Sequence, residues 1–434
     1  MNKLRKLSLT KSRLGGILYP ATILLFFAFT FQSIPPGWYQ QTLPRTDVLI
    51  TDIYFIDSLK GWATARKNTN DSAYIFYTSN GGNNWSIQYQ NKYYLTALQL
   101  INENTGYSVG SAPPGVIIKT TDGGINWFNV TGLSAYPLTD LFFTTVDTGW
   151  VCSDDLFDGG VYKTTNGGIN WQLQLGVSFR PSRLFFINND TGWSVCQNIR
   201  LFKTTNSGQN WIQQVSFPTG INNMYFINKN IGWLANTSSN QLNGIFKTTN
   251  GGQNWVTQID PTPTGSGNND VYFVDSLKGW IACGFAKILH TTDGGENWFV
   301  QTTPKAGYTK IQFIDSNKGW SAGSQIVHTT DGGGLSAIEQ IGNEMPSEYK
   351  LFQNYPNPFN PNTKIRFSVK RQTTNVKLLI YNSIGEFIFE AFNGKLSAGT
   401  YEVQFNANNL SSGVYYYTLI TDNFKETKKM LLIK

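Results

Sequence analysis

The chain has 434 residues, more than one ordinary domain holds, and 15% aromatic with 14% charged residues suits packed sheets. Of its formal net charge of +7, five charges come from Lys3, Arg5, Lys6, Lys11 and Arg13, which stand ahead of an apolar run over 14–31. Basic then apolar is the order of a signal peptide, assigned to residues 1–33 with a cut near Thr30 or Ser33. Its removal leaves +2, which excludes a basic nucleic-acid footprint; the alternative is that the run stays as an anchor.

From residue 38 onward two elements alternate. The first is an aromatic strand ending in a Gly-Trp or Gly-Tyr pair, as in Tyr54-Phe55-Ile56-Asp57 to Gly61-Trp62. It returns at Gly106-Tyr107, Gly149-Trp150, Gly192-Trp193, Gly232-Trp233, Gly279-Trp280 and Gly319-Trp320, at spacings of 40 to 47 residues. The second is a turn, Thr78-Ser79-Asn80-Gly81-Gly82-Asn83-Asn84-Trp85, recurring with its last residue at Trp127, Trp171, Trp211, Trp255 and Trp298. A seventh copy, Thr329-Thr330-Asp331-Gly332-Gly333, stops short of its Trp. A repeat of this length, rich in β-branched and aromatic residues and punctuated by Gly turns, predicts four-stranded propeller blades. In blade three the strands fall at 138–144, 149–152, 160–164 and 170–175. The turn reads as structural: its Asn or Asp binds nearby amides, its glycines supply positive φ, and its Trp buries its ring.

The truncated seventh copy predicts how the ring closes. Trp38-Tyr39-Gln40-Gln41-Thr42-Leu43-Pro44-Arg45 parallels Trp298-Phe299-Val300-Gln301-Thr302-Thr303-Pro304-Lys305, so the N-terminal strand completes blade seven. All thirteen Trp are then repeat positions. Cys152, Cys196 and Cys283 each follow a Gly-Trp pair and read as small buried apolar residues, with no metal-ligand spacing. The only histidines, His290 and His328, take the place that Lys119, Lys163, Lys203 and Lys247 hold in other blades. They are expected to have exposed tips and to serve no catalytic triad. No cofactor or metal is expected.

Because the blades serve as internal controls, function is expected where they differ. Strand direction puts both recurring turns on one face and the variable connections, 65–73, 154–160, 197–199, 236–244 and 260–269, on the other. Tyr93, Tyr94, Tyr136, Phe179, Phe217 and Tyr308 are expected to project there, with Arg180 beside them, to stack on sugars, seat a peptide or merely cap the blades. A second differing position, three residues before the aligned aromatic of each inner strand, reads Asp52, Ala97, Asp140, Arg183, Asn223, Asp270 and Lys310 around the channel mouth. A glycosidase needs paired carboxylates. No two of these Asp residues come from adjacent blades, so an enzyme would combine Asp52, Asp140 or Asp270 with Asp154, Asp155 or Asp158.

Residues 334–346 read as a linker without Trp or strand pattern. Residues 347–434 open with Tyr355-Pro356-Asn357-Pro358-Phe359 and predict strands at 364–369, 375–381 and 386–392. They continue through Ser412-Gly413-Val414-Tyr415-Tyr416-Tyr417 and end in Lys428-Lys429-Met430-Leu431-Leu432-Ile433-Lys434, a small Ig-like β-sandwich. The fold class is thus all-β: a seven-bladed propeller over 34–333 closed by the N-terminal strand, plus the sandwich.

Those three tail motifs, in that order, resemble the type A C-terminal sorting domain of the type IX secretion system. The resemblance implies export through the inner membrane by signal peptide and through the outer membrane by the type IX translocon. The type IX sorting machinery is then a partner, and the protein is secreted or held at the outer surface of a Gram-negative cell. The repeats over 38–333 resemble the propellers of photosystem II stability and assembly factors, with sialidase-type Asp-box (BNR) turns. That resemblance implies a binding propeller. The arginine patch it implies has few counterparts among Arg45, Arg66, Arg180, Arg183 and Arg200. A sialidase's three-Arg clamp and Tyr nucleophile have no motif-level match; Phe179-Arg180-Pro181 is a faint echo. The reading is therefore a non-enzymatic propeller binding a glycan or protein ligand. A secreted glycoside hydrolase and an assembly factor for an envelope complex are the alternatives.

Overall fold

The computed structural model describes residues 37–434 apart from short loop segments, the longest being 238–243 and 260–266. Seven four-stranded antiparallel sheets follow one another along the chain. Blade three has strands Leu138–Phe143, Gly149–Ser153, Gly160–Thr164 and Gln172–Leu175, within two residues of expectation. Inner strands of the other blades are Val48–Phe55, Tyr94–Leu100, Pro181–Phe186, Gly220–Phe226, Asn268–Phe273 and Tyr308–Phe313.

One contact recurs at the seams between blades. The buried ring of a Gly-Trp pair lies flat on the Phe that ends the inner strand of the next blade: Trp150 on Phe186 at 3.9 Å, Trp193 on Phe226 at 3.7 Å, Trp233 on Phe273 at 3.5 Å, Trp280 on Phe313 at 3.6 Å and Trp320 on Phe55 at 3.6 Å. Each of these Phe rings also meets, edge-on, a Trp of its own blade, as Phe273 does Trp298 at 5.9 Å and 89°. One ring is thus gripped by its face and its edge, the two geometries that aromatic quadrupoles favour. The Gly of the Gly-Trp pair is obligatory for a related reason: a Cβ on Gly149 would lie 2.3 Å from the Phe143 ring.

The recurring turn works as its residues predict. Asn80 Oδ1 accepts from the Asn84 amide and the Thr78 hydroxyl, Thr78 Oγ1 accepts from the Gly82 amide, and Gly81 and Gly82 take φ of 69° and 90°. The Gly81 amide then donates to Leu59 O in the neighbouring hairpin turn, and equivalents such as Gly167 to Asp147 and Gly332 to Asn317 recur around the ring. These bonds put both recurring turns on one face, as strand direction requires.

Ring closure is as expected. Tyr39–Gln40 pairs with Ile326–Thr329 in register Tyr39 to His328. Trp38 meets Phe313 edge-on at 5.7 Å and 90°, so it fills the place of the Trp that the seventh turn lacks. The Gly37 amide donates to Asp331 and Trp38 Nε1 to Gln301 Oε1.

The tail is a two-sheet sandwich. Strands Lys350–Leu351, Asn362–Val369 and Gly399–Asn406 form one sheet; Thr373–Tyr381, Phe387–Leu396, Gly413–Thr421 and Phe424–Leu432 form the other. Ile365, Phe367, Leu378, Ile380, Tyr417, Leu419 and Met430 are buried between them. The expected linker departs from prediction. Glu339–Gly342 is a strand, added to the free edge of Gly399–Asn406 with Gln340 opposite Tyr401. It lies within the 334–346 segment whose short, mixed sequence carries no alternation long enough to betray a strand.

Trp38→Ala removes the ring that closes blade seven and leaves Gln301 Oε1 without that donor. A loss of about 3–5 kcal/mol in unfolding free energy is expected, read by urea denaturation of the full chain.

Candidate functional site

Each inner strand carries a β-bulge at the same place. The register slips between Ile50 and Asp52, Leu95 and Ala97, Leu138 and Asp140, Pro181 and Arg183, Ile221 and Asn223, Asn268 and Asp270, and Tyr308 and Lys310. A bulge turns the residue after it away from the ladder, and here that residue is the ring position named from the sequence. The bulged residues are Thr51, Thr96, Thr139, Ser182, Asn222, Asn269 and Thr309, all short and polar. Thr51 donates to Leu95 O at 2.8 Å, Thr96 to Leu138 O at 2.9 Å, Asn222 to Asn268 O at 2.7 Å and Asn269 to Tyr308 O at 2.6 Å, each reaching the next blade. Sequence reasoning passed over this belt, although the unbroken run of Ser, Thr and Asn one residue before the ring position was there to find.

The ring carboxylates do the same job on amides. Asp52 accepts from its neighbour Ile53 N and from Leu98 N of blade two at 2.8 Å. Asp140 accepts from Leu141 N and from Leu184 N of blade four at 2.9 Å. Asp270 accepts from Val271 N, from Ile311 N of blade seven at 2.9 Å, and from the Asn223 amide. Arg183 Nε donates to Asn222 O and its NH1 to Ser182 O. Lys310 Nζ lies 3.3 Å from Asp52, with about a fifth of its side chain open to the channel.

Burial pushes the Asp140 carboxyl up against the pull of Arg183 and Lys310, and pushes Asp270 up to about 6 against Lys310 and the Ile311 amide. Burial pulls Lys310 down, but Asp52 and Asp270 outweigh it and hold the ammonium above its ordinary value. One step deeper the channel is lined by Phe142, Phe185, Tyr225 and Tyr272, in contact at centroid distances of 5.5, 5.2 and 4.6 Å. Burial raises Tyr225 and Tyr272, so these phenols stay neutral. Gln99 and Gln312 extend the lining, each exchanging two bonds with the backbone of the next blade, at Phe143 and Phe55.

On the variable face the connection from blade one to blade two is basic and aromatic. The Arg66 guanidinium stands over the Tyr94 ring at 5.7 Å and Lys92 over Tyr93 at 5.3 Å, while Arg45 stands over Tyr74 at 5.1 Å and is engaged by Asp47 through two bonds of 2.9 and 2.7 Å.

The three tail motifs, distant in sequence, meet in space. Phe359 N donates to Leu431 O, Ile433 N to Phe359 O and Leu431 N to Asn357 Oδ1, so the Tyr-Pro-Asn-Pro-Phe loop clasps the last strand. Tyr417, from the Ser-Gly-Val-Tyr-Tyr-Tyr segment, accepts from Asn354 N and donates to Phe352 O.

Residues 353–434 match the family model described as the secretion system C-terminal sorting domain, and residues 32–179 match that of the photosynthesis system II assembly factor YCF48. Among solved structures, one described as YCF48 bound to D1 peptide superposes with a TM-score of 0.56 at 20% identity, covering 69% of this chain and 98% of that one. YCF48 from Cyanidioschyzon merolae gives 0.55 at 19% identity over 68% and 98%. The WD40 propeller domain of Doa1 gives 0.50 at 11% over 68% and 96%. No curated protein matches the chain. The chain ends in a sorting tail, and its propeller is similar to that of YCF48. That tail directs export by type IX secretion to the cell surface or the extracellular space.

Within the YCF48-like propeller the expected site residues are scattered. Phe217 is buried against Phe246 and Trp255, and Tyr308 is wholly buried with its hydroxyl donating to Pro304 O; both belong to the core and do not project as expected. Large rings at a strand boundary are drawn into the gap between blades whenever one is available. Tyr93 and Tyr94 remain half-buried on the face. Arg180 adopts a φ of 45° at the start of its inner strand. Tyr136, Phe179, Asp154 and Asp158 lie outside the described residues, as do the expected signal segment and much of the variable loops. Asp155 is described and binds the Phe157 amide.

The histidines are not exposed as expected. His290 and His328 are 6% and 7% accessible and lie flat on Trp280 and Trp320 at 4.6 and 4.5 Å, where the other blades set Lys119, Lys163, Lys203 and Lys247 over their rings. Burial pulls them down to about 3 and about 4. Tyr39, pushed up to about 12 by burial and by Asp331, keeps its proton and shares a hydrogen bond with Nδ1 of neutral His328. The three cysteines are buried and free as expected, with Cys196 and Cys283 pushed up to about 12 by burial.

Asp140→Asn exchanges an oxygen that accepts a backbone amide for an NH2 that cannot, and a loss of about 1–3 kcal/mol is expected by denaturant titration. Both folded histidine pKa values lie below the unfolded value near 6.5, so neutral imidazole is the form the fold holds. Their contribution is intact above pH 6.5 and falls as pH drops, by about 1.4 kcal/mol per pH unit for each histidine until its folded pKa is reached. Proton NMR of the two imidazoles should show midpoints well below 6.

Proposed function

We propose that the exported protein is a non-enzymatic binding propeller whose variable-loop face holds a macromolecular ligand, glycan or protein. The observation that carries this reading is the engagement of the ring carboxylates. Asp52, Asp140 and Asp270 each place their oxygens on backbone amides of two successive blades, so they serve the scaffold rather than a proton transfer. Glycoside hydrolysis asks for one carboxyl to give a proton to the leaving oxygen while another stays open to attack or to activate water. Carboxylates already bound by two amides each are poorly placed for either task.

A rigid ring that presents differing loops on one face is the usual frame for recognition. The YCF48 structure described as bound to D1 peptide supports a polypeptide as one ligand class for such a frame. It also supports the second reading, an assembly or stability factor for a protein complex of the cell envelope.

Binding and catalysis are read in one experiment. The full chain is incubated with a panel of purified polysaccharides and extended polypeptides, retention is measured, and reducing ends or new amino termini are assayed in the same wells. Retention without release is expected. Release that disappears in Asp52→Asn, Asp140→Asn or Asp270→Asn, with the fold intact by near-ultraviolet circular dichroism, would overturn the binding reading in favour of an enzyme.

A further inference from the structure

On the variable face Arg66 and Lys92 stand at the seam between blades one and two, while Arg45 and Lys67 gather around Asp47 on the other side of blade one, where Tyr74 packs with Trp320 of blade seven. Residues 34–434 carry a formal net charge of only +2, so this concentration is local rather than a share of a general excess. The four cations are not equivalent. Asp47 takes both forks of Arg45 and lies 3.8 Å from Lys67. Arg66 and Lys92 are exposed, and among the described residues neither has a carboxylate within salt-bridge reach. Instead each rests on a tyrosine ring, Tyr94 and Tyr93. A guanidinium held by its face keeps its in-plane N–H groups for an oxyanion, and the ring that holds it also reduces the rotamer freedom that binding would otherwise cost.

We propose that Arg66 and Lys92, braced by Tyr94 and Tyr93, form a binding site for an anionic polysaccharide bearing carboxylate or sulfate groups. This rests on the non-enzymatic binding reading above and names its ligand class and place. Sugar chains suit the patch better than acidic peptides. Its contacts are side chains at the ends of strands, a charge and a flat ring edge side by side. An extended peptide that adds to a sheet needs a free strand edge; the nearest, Ser86–Asn91, is the outer strand of blade one, whereas Arg66 stands on the second strand of that blade and Tyr94 on the inner strand of blade two. A charged sugar repeats an oxyanion and an apolar C–H face along its length, matching cations and rings set next to each other.

The test is affinity electrophoresis of the full chain through gels containing alginate, dextran sulfate, neutral dextran or poly-L-glutamate. The variants are Arg66→Gln, Lys92→Gln and Tyr93→Ala. Lys60→Gln, which alters the Lys60–Glu103 pair on the opposite face, is the control. Retardation by alginate or dextran sulfate is expected, weakening as salt rises. Arg66→Gln with Lys92→Gln should weaken it by about tenfold or more, the loss of a charge-assisted hydrogen bond. Lys60→Gln should migrate as the parent does. Lys92→Gln alone leaves the Arg66–Tyr94 bridge between blades untouched, so its effect does not depend on the stability of the seam. Equal retardation by poly-L-glutamate would reassign the patch to acidic peptides and overturn the proposal. Retardation by neutral dextran that the variants leave unchanged would keep the binding propeller and overturn this site. Absence of retardation in both anionic gels overturns it too, while binding to polypeptides in the panel above would leave the broader reading standing.

Discussion

The structure depends on a contact between blades rather than within them. A four-stranded sheet of this size has an inner strand buried on both sides and cannot fold alone; its stability comes from the neighbour on each side. The Trp of the Gly-Trp pair supplies that neighbour in two ways. Its ring stacks on the next blade's Phe, and its indole N–H reaches the carbonyl of a Gly in the next blade's recurring turn, as Trp193 does Gly251, Trp233 Gly294, Trp280 Gly332 and Trp320 Gly81. One residue therefore joins the apolar packing and the polar bonding of a seam. This is why the two sequence elements recur together and never apart.

The exceptions show how the two halves of that contact trade. Tyr107 stands where other blades have Trp, still stacks on Phe143 at 3.8 Å, and reaches Gly167 O through its hydroxyl at 3.2 Å. At the seam between blades one and two the stack is missing because Leu100 replaces the Phe, yet Trp62 keeps its bond to Gly123 O. At the seam between blades three and four the stack is kept and the bond is lost. Trp150 Nε1 has no partner, and the turn it faces carries Ser207 at a φ of 64° where most other copies have Gly. Each of these seams retains at least one half, which bounds how far a blade can drift from the pattern.

Much of this was legible in the sequence because it is periodic. Seven comparisons of the same position separate what the ring needs from what it tolerates, and Trp38 could be assigned to blade seven from the likeness of its flanking residues to those of Trp298. The histidines were placed correctly in the repeat but misjudged in exposure. A Lys at that position reaches past the ring to water on its long stem, whereas imidazole is short and lies flat on the indole. Phe217 and Tyr308 failed for a related reason, since nothing in a loop sequence tells whether a ring points outward or folds into the nearest seam. The strand at Glu339–Gly342 could not be foreseen, because its pairing is set by the open edge of a strand about sixty residues away. The bulge belt was visible but unread: attention went to the ring position that varies, not to the polar position beside it that does not.

That last point bears on where function can reside. The seven bulges aim their ring residues into the channel, and a channel lined by Asp, Arg and Lys looks like a site until the bonds are followed. Asp52, Asp140 and Asp270 then prove to be held by the amides of the next blade, Arg183 by backbone carbonyls, and Lys310 by the carboxylates around it. Charges so engaged would have to give up backbone partners in a place where few waters could replace them, and a ligand would have to repay that cost. Cations at strand ends carry no such debt. Arg66 and Lys92 rest on rings that make no demand on their N–H groups, and among the described residues no carboxylate lies within salt-bridge reach of either. The variability of the chain is thus of two kinds: in the channel it records different solutions to joining blades, and at the rim of the variable face it is free to record a ligand.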